Sequence, residues 1–257
     1  VDALYRLACD LGVEFHFNEA VTALVAEKKR ITKVVTAKNT YPADRVVNAT
    51  DITLFYRELL NDKIRLKKLE RRERSSSALI FYWGIDRESE LGLHTILFSS
   101  NYREEFQGLF KTKKLADDLT VYIFISKKQV EGDAPPGKEN WFVMVNAPEN
   151  TGQDWKEQSR FARQIVLRKI KNQLGMDLEP HILNERIINP VDIEKHTRSL
   201  NGSLYGHSSN NALAAFLRHP NFSSKYRNLF FAGGTVHPGG GIPLCLASAK
   251  IVDGLIR

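Results

Sequence analysis

The stretch Asn228–Lys250 constrains the fold more than any other part of the chain. Its apolar segment Asn228–Ala232 predicts a short buried strand, Ile242–Ile256 predicts a helix, and the residues between them are rich in glycine. Because glycine has no β-carbon, the main chain of such a turn can approach a ligand closely. The helix start adds free N–H groups and the positive end of the helix dipole. We therefore expect either a cradle for an anion or an electron-rich ring, or a tight structural turn.

Residues 1–56 have the pattern of an α/β unit. Apolar residues at helical spacing predict a helix over Asp2–Leu11, which Gly12 ends. The pattern of β-branched and alternating apolar residues then predicts four strands, with a charged turn at Lys28–Arg30 between the second and third: Val13–Phe17, Val21–Val25, Ile31–Val35 and Arg45–Asn48.

The middle of the chain has longer apolar strands that predict an antiparallel sheet: Ala78–Trp83, His94–Phe98, Val121–Ser126 and Trp141–Val145. A helix is predicted to start after Asp154, to end at Gly175 and to cover one side of the sheet. The predicted fold class is therefore α/β plus α+β. An antiparallel-sheet domain (57–220) is inserted between two parts (1–56 and 221–257) of an α/β domain.

Composition and spacing disfavour several classes of protein. Cys9 and Cys245 lie far apart and the seven histidines are scattered, so we predict no disulfide framework, no metal site and a reducing, cytoplasmic location. No Ser-His-Asp arrangement with a nucleophile elbow indicates a hydrolase. No apolar stretch approaches the ~20 residues that cross a bilayer.

The stretch Arg57–Arg74 holds eight basic and four acidic residues. It is either an ordinary solvated helix face or a patch that attracts phosphates or anionic lipid head groups, which would allow peripheral contact with the inner face of a membrane. Nucleic-acid binding is disfavoured because no recognised motif accompanies this charge.

The block Asn228–Lys250, with His237–Pro243 inside it, resembles the C-terminal flavin signature of phytoene desaturases and of their saturase and isomerase relatives. Val46–Asp51 is similar to the strand with which that family re-enters its flavin domain, and the middle of the chain matches the family more loosely. The resemblance implies a glutathione-reductase-like FAD-binding domain, present here incompletely, with the sheet domain as the substrate domain.

The resemblance also implies contacts between particular residues and FAD. Val21 would meet the adenine end through its main chain, and Ala49 and Thr50 would lie beside the cofactor. The ribityl and diphosphate region would be approached by Gly233, Gly234 and Thr235. The pyrimidine edge of the flavin would lie over the helix start, at Gly241, Ile242, Pro243 and Leu244.

The resemblance also leads to predictions of catalytic and substrate-binding residues. His237 is the titratable residue nearest to the implied ring position, and it would either handle a proton or stabilise the turn. A hydrocarbon substrate requires an apolar tunnel. The tunnel candidates, which could equally be ordinary sheet core, are Phe81, Trp83, Phe98 and Phe124.

Two departures from the family pattern affect the cofactor prediction. Gly234 stands where many related flavoproteins have an acidic residue that holds a ribityl hydroxyl. No Gly-x-Gly-x-x-Gly occurs in the chain, which opens on Val1 within a regular element. We therefore expect the chain to be a C-terminal portion that needs a preceding segment of the same protein as its partner, and to bind FAD poorly by itself.

The reaction implied by the resemblance removes two hydrogens from adjacent carbons of a long isoprenoid. One alternative within the family is a saturase or isomerase that acts on a polyene or retinoid. An alternative from another class is a non-catalytic membrane-surface or lipid-binding module, which the basic stretch and the absent fingerprint would suit.

Overall fold

The computed structural model describes residues 1–210 and 217–257 of the chain. Among these residues the α-helices are α1 (Asp2–Asp10), α2 (Ile52–Phe55), α3 (Lys63–Glu70), α4 (Tyr102–Gln107), α5 (Trp155–Leu174), α6 (Pro190–Thr197) and α7 (Ile242–Ile256). The strands are β1 (Val21–Glu27), β2 (Arg30–Thr36), β3 (Thr40–Pro42), β4 (Val46–Asn48), β5 (Ser77–Ile85), β6 (His94–Leu97), β7 (Val121–Phe124), β8 (Glu139–Ala147), β9 (Ile182–Ile188) and β10 (Leu229–Phe231).

The first strands form a three-stranded antiparallel sheet in the order β1-β2-β3. The turn between β1 and β2 places Lys28 and Lys29 at positive φ, which confirms the predicted charged turn. The predicted strand Val13–Phe17 is wrong: these residues are irregular. A strand needs a neighbour for its backbone hydrogen bonds, and no strand among the described residues pairs with this segment.

Strands β4 and β10 pair in parallel, although 180 residues of sequence or more separate them, as in the pair Leu229 and Val46. Their core combines both ends of the chain, because Ile31, Ile52 and Phe55 pack with Phe231. Leu69 on α3 belongs to the same core, so this packing continues beyond residue 56, where the sequence suggested a domain boundary. The parallel pairing brings the carboxyl ends of β4 and β10 to one edge.

A five-stranded antiparallel sheet in the order β6-β7-β8-β5-β9 forms the middle of the chain. Alternate residues of its strands are buried against α5, whose Ala162, Val166 and Ile170 belong to the same core. Helix α5 begins where the Asp154 carboxylate accepts hydrogen bonds from main-chain N–H groups, and it ends at Gly175 with a φ of 68°. The predicted sheet and its covering helix are confirmed, whereas β9 was not predicted.

Some basic residues of the stretch Arg57–Arg74 are held by contacts within the protein, and others are exposed to solvent. Arg57 pairs with Glu70 at 2.9 Å, Arg74 is buried, and Arg72 donates to the Leu217 carbonyl at 2.8 Å. Lys67 and Lys68 are exposed on α3. Among the described residues, no helix is both long and apolar enough to cross a membrane.

Candidate functional site

The loops after β4 and β10 lie against each other at the carboxyl edge of the parallel pair. The Ala232 N–H donates to the Asn48 carbonyl at 2.9 Å, and the Thr235 hydroxyl accepts a hydrogen bond from the Ile52 N–H at 3.1 Å. A β-carbon on Gly233 would lie 3.5 Å from the Ala49 oxygen. The structure thus brings together Ala49, Thr50, Gly233, Gly234 and Thr235, which the sequence singled out from two distant segments.

A cavity of about 610 Å³ opens beside this edge. Its lining includes three predicted cofactor-binding residues, Val21, Ala49 and Thr50, together with apolar side chains of β1, β2 and α2: Leu24, Val34 and Leu54. The volume lies in the range of ~300–1,000 Å³ that is typical of cofactor and small-ligand sites. The cavity is therefore a candidate cofactor site, and its lining includes Val21, for which the resemblance implies contact with the adenine end.

The start of α7 is open. Gly241 is its N-cap at a φ of 92°, no side chain among the described residues caps the helix, and a β-carbon on Gly241 would meet nothing within 4 Å. Ile242 is 78% exposed and Leu244 is 42% exposed. Pro243 has no N–H, so the free donors of the first turn are those of its two neighbours. Such a helix start can hold an anionic or electron-rich group.

Buried polar residues that sequence reasoning missed hold the glycine turn in shape. The Asn221 amide donates to the carbonyls of Phe231 and His237 at 2.9 and 2.8 Å. The Ser248 hydroxyl on α7 accepts from the Gly233 N–H at 3.1 Å. No sequence motif identifies these residues, since these hydrogen-bond partners lie 10 to 16 residues away, beyond the range of helix or strand periodicity.

Tyr205 covers one glycine of the turn. A β-carbon on Gly240 would overlap the Tyr205 ring, so this position requires glycine. Gly241, one residue further, remains open. The turn is therefore covered on one side and accessible at the helix start.

The main chain of His237 is fixed from both sides, because its N–H donates to the His219 carbonyl at 2.9 Å and its own carbonyl accepts from Asn221 at 2.8 Å. Its imidazole is partly exposed and has no hydrogen-bond partner within the described parts of the chain. The catalytic role of His237 stays a prediction.

The structure divides the four predicted substrate-binding aromatics. Phe81 and Trp83 are 0% and 2% exposed and belong to the core between the sheet and α5, as the sheet-core alternative expects, although Trp83 also contributes to the lining of the cleft described below. Phe98 is 65% exposed and follows the end of β6. Phe124 lies on the opposite face of the sheet, paired across strands with Phe142. Side chains of a strand alternate between faces, and the sequence did not show which face α5 covers.

That opposite face, which we call the open face, is rich in aromatic residues. The rings of Tyr82 and Phe142 are 5.4 Å apart and those of His94 and Phe124 are 5.1 Å apart. Tyr82 is 42% exposed. A cleft of about 570 Å³ lies there, with a lining that includes Tyr82, Phe124, Phe142 and Arg186. The open face offers flat apolar surface to a hydrocarbon.

The residues are compatible with the flavin that the resemblance implies. The helix start at Gly241 leaves room for an electron-rich group, and the cavity beside Val21 has the volume of a cofactor site. Within residues 1–210 and 217–257, no group of three or more His, Cys, Asp or Glu side chains is placed to hold a metal ion.

Residues 1–252 match the family of flavin containing amine oxidoreductases. The chain is 50% identical over 255 residues to 1-hydroxycarotenoid 3,4-desaturase from Flavobacterium sp. (strain P99-3), an alignment that covers 99% of this chain and 52% of that protein. It is 30% identical over 279 residues to phytoene desaturase from Fusarium fujikuroi, covering 98% and 49%. The chain thus spans about half the length of the curated relatives it matches.

The fold is similar to that of an oxidoreductase from Methanosarcina mazei, with a TM-score of 0.64 at 12% identity over 98% of this chain and 53% of that one. The predicted mixture of helix and sheet is confirmed, whereas the division into domains stays a prediction. The resemblance to the phytoene desaturases is confirmed by the family match and by both relatives.

Proposed function

Because the chain belongs to the flavin-containing amine oxidoreductase family, we propose that the protein is an FAD-dependent carotenoid desaturase. The proposal depends on the combination of three features in one chain. They are an open helix start at a glycine turn, a cavity at the carboxyl edge of β4 and β10, and an aromatic sheet face suited to a hydrocarbon. The first two features serve a dinucleotide, and the third serves an apolar substrate.

The reaction converts a carbon–carbon single bond into a double bond. When bound, FAD supplies the acceptor for a hydride from one carbon, and the hydrogen on the adjacent carbon leaves as a proton. The amides at the start of α7 would stabilise negative charge in this region, since the positive end of the helix dipole lies there. His237 remains our candidate for holding the proton. The open face would hold the substrate and exclude water.

The two relatives suggest the substrate class. One is named for 1-hydroxycarotenoids and the other for phytoene, and this chain is more similar to the first. We therefore propose a 1-hydroxycarotenoid as substrate. The test incubates flavin-loaded protein with a 1-hydroxycarotenoid or with phytoene in detergent micelles and records the visible spectrum. A red shift indicates a longer conjugated system. Vesicle binding without flavin absorbance or desaturation would instead support a lipid-binding module.

Substitution of Gly241 by valine is expected to lower the flavin content about ten-fold, equivalent to ~1.4 kcal/mol of binding free energy, in protein produced together with the preceding segment that we expect flavin binding to need. The new side chain would project into the open space at the start of α7, where we place the flavin. The measurement is the ratio of flavin to protein absorbance.

Gly12→Val is the matched control for this prediction. Gly12 has a φ of 84°, close to the 92° of Gly241, and a β-carbon there also meets nothing within 4 Å. Both variants therefore carry similar backbone strain, but only Gly241 lies at the proposed site. Equal flavin contents in the two variants would contradict the placement of the flavin.

Tyr82→Lys is expected to weaken carotenoid binding about ten-fold or more, because it removes the ring that contacts Phe142 and adds a second positive charge beside Arg186 on the open face. The measurement is the substrate concentration at half-maximal rate. Tyr5→Lys is the control, since Tyr5 lies on α1, outside the sheet, and has the same exposure of 42%. An unchanged concentration dependence in Tyr82→Lys would argue against the open face as the substrate surface.

Peripheral contact with a membrane also stays a proposal. Exposed Lys67 and Lys68 on α3 lie near Ile64, which is 74% exposed, and such a combination suits an anionic lipid surface. An apolar substrate would reach the protein from such a surface.

A further inference from the structure

Arg218 is a buried guanidinium, 6% exposed, that joins two loops. On one side it donates to the carbonyls of Tyr205 and His207 at 2.6 and 2.9 Å and to the Ser209 hydroxyl at 2.8 Å. On the other side it donates to the carbonyls of Gly234 and Val236 at 2.7 and 3.3 Å. The fork of five N–H donors of arginine is thereby fully used.

The positive charge of Arg218 is balanced by no carboxylate. All five acceptors are neutral oxygens, and among residues 1–210 and 217–257 no carboxylate lies within ion-pair distance of the guanidinium. Burial lowers the pKa of Arg218 from its ordinary value, although an arginine stays protonated in a protein. Burying a charge without an opposite one costs free energy, and here the hydrogen bonds to five neutral oxygens offset part of that cost.

The charge lies directly against the glycine turn. The position of a β-carbon on Gly239 is 3.7 Å from Arg218 Cζ, and Gly234 is one of the hydrogen-bond partners. Gly239 is followed after one residue by Gly241, the open start of α7. In a partly buried, low-dielectric region a fixed cation acts over several ångströms. It therefore adds to the positive end of the helix dipole at the same place.

We propose that Arg218 is a positioning residue that shapes the glycine turn and stabilises the negative charge of reduced flavin. This inference rests on the proposed function. In this proposal Arg218 raises the electron affinity of the flavin without touching it, because in the turn Arg218 contacts only main-chain atoms.

The test alters the charge without removing Arg218. Ser209 is exposed and accepts a hydrogen bond from the guanidinium, so Ser209→Asp places a carboxylate on it, and Ser209→Asn is the control of the same size. The flavin midpoint potential of each flavin-loaded protein is measured by equilibration with a redox dye. In Ser209→Asp we expect the ratio of reduced to oxidised flavin at a fixed dye potential to fall about ten-fold, equivalent to ~30 mV for two electrons. The control should match the wild type.

Arg218→Lys separates charge from shape. Lysine keeps the charge and loses the fork, so we expect a potential close to that of the wild type and a lower melting temperature. Equal potentials in Ser209→Asp, Ser209→Asn and the wild type would overturn the inference. An equal fall in Ser209→Asp and Arg218→Lys would also overturn it, because charge would then not be the cause. The flavin content of the wild type tests the proposed function separately.

Discussion

Replacing Arg74 with methionine is expected to lower the free energy of unfolding by about 3–5 kcal/mol. Arg74 and Asp51 form an ion pair at 2.6 Å in which the side chains are only 6% and 2% exposed. Removing the cation leaves a buried carboxylate without its partner, and that penalty exceeds the worth of most single contacts.

The Arg74 pair also holds together distant parts of the chain. Its guanidinium donates to Ser203 at 3.0 Å and to Thr53 at 3.3 Å, while Asp51 caps α2 by accepting from the Thr53 N–H at 2.8 Å. The loop that contains Ser203 continues to Tyr205, which covers the glycine turn. We therefore expect the variant to lose flavin as well as stability.

Chemical unfolding of Arg74→Met and the wild type measures this effect. Lys171→Met is the control, since Lys171 and Asp177 form a pair at 2.8 Å whose side chains are 61% and 57% exposed, and its loss should cost no more than ~1 kcal/mol. The double variant Asp51→Asn with Arg74→Met should recover part of the loss, because no unpaired charge remains. If Arg74→Met and Lys171→Met lowered the free energy of unfolding by similar amounts, burial would not increase the contribution of the Arg74–Asp51 pair, and the prediction would be wrong.

Acid is expected to destabilise the protein between pH 6.5 and pH 4. Burial lowers the pKa of His207 to about 4, with a contribution from the nearby Arg74 charge, and burial likewise lowers the pKa of His219 to about 4. The ordinary value for histidine is about 6.5. The unfolded chain therefore binds these protons at a higher pH than the folded chain, so the stability is lost as the pH falls through this window. Each histidine should account for about 3 kcal/mol.

Burial keeps the two histidines neutral, and their contacts determine which ring nitrogen carries the single proton. His219 Nδ1 lies 2.8 Å from the Pro220 carbonyl and takes the proton, which leaves Nε2 to accept from the Tyr56 hydroxyl at 3.1 Å. His207 Nε2 donates to the Leu69 carbonyl at 3.1 Å, and Nδ1 is buried without a hydrogen-bond partner in the described part of the chain. A second proton on His207 would have no acceptor in the described part of the chain, and a second proton on His219 would require the Tyr56 hydroxyl to change from donor to acceptor.

Unfolding free energies measured from pH 7 to pH 4 test the histidine prediction. His207→Gln and His219→Gln should each remove about 3 kcal/mol of the pH dependence, because glutamine keeps an amide donor and does not titrate in this range. His196→Gln, at an exposed position on α6, should follow the wild-type curve. A wild-type stability that is constant across this range would contradict the prediction.

Local signals in the sequence were sufficient for several elements. The Asp154 cap, the apolar spacing and Gly175 predicted α5 at both ends, and Ile242–Ile256 matches α7 residue for residue. These signals succeed because capping and amphipathic spacing act within a few residues of each other. The glycine turn was also recognisable, since its composition restricts the backbone directly.

Other predictions failed where the outcome depends on a partner elsewhere in the chain. Val13–Phe17 alternates like a strand but has no neighbour to pair with in the described chain. For Phe81 and Trp83 the alternation left a substrate surface and the sheet core equally open, and only the structure shows them in the core with α5. Alternation defines two faces of a sheet and does not identify the one that a helix covers.

The sequence by itself determined the elements, the glycine turn and the family resemblance, because these depend on residues close together along the chain. Only the tertiary structure decided which side chains hold the turn, namely Arg218, Asn221 and Ser248, and which aromatic residues form the open face. Buried polar groups must find partners wherever the fold brings them, and those partners lie in segments whose separation in sequence carries no periodic signal.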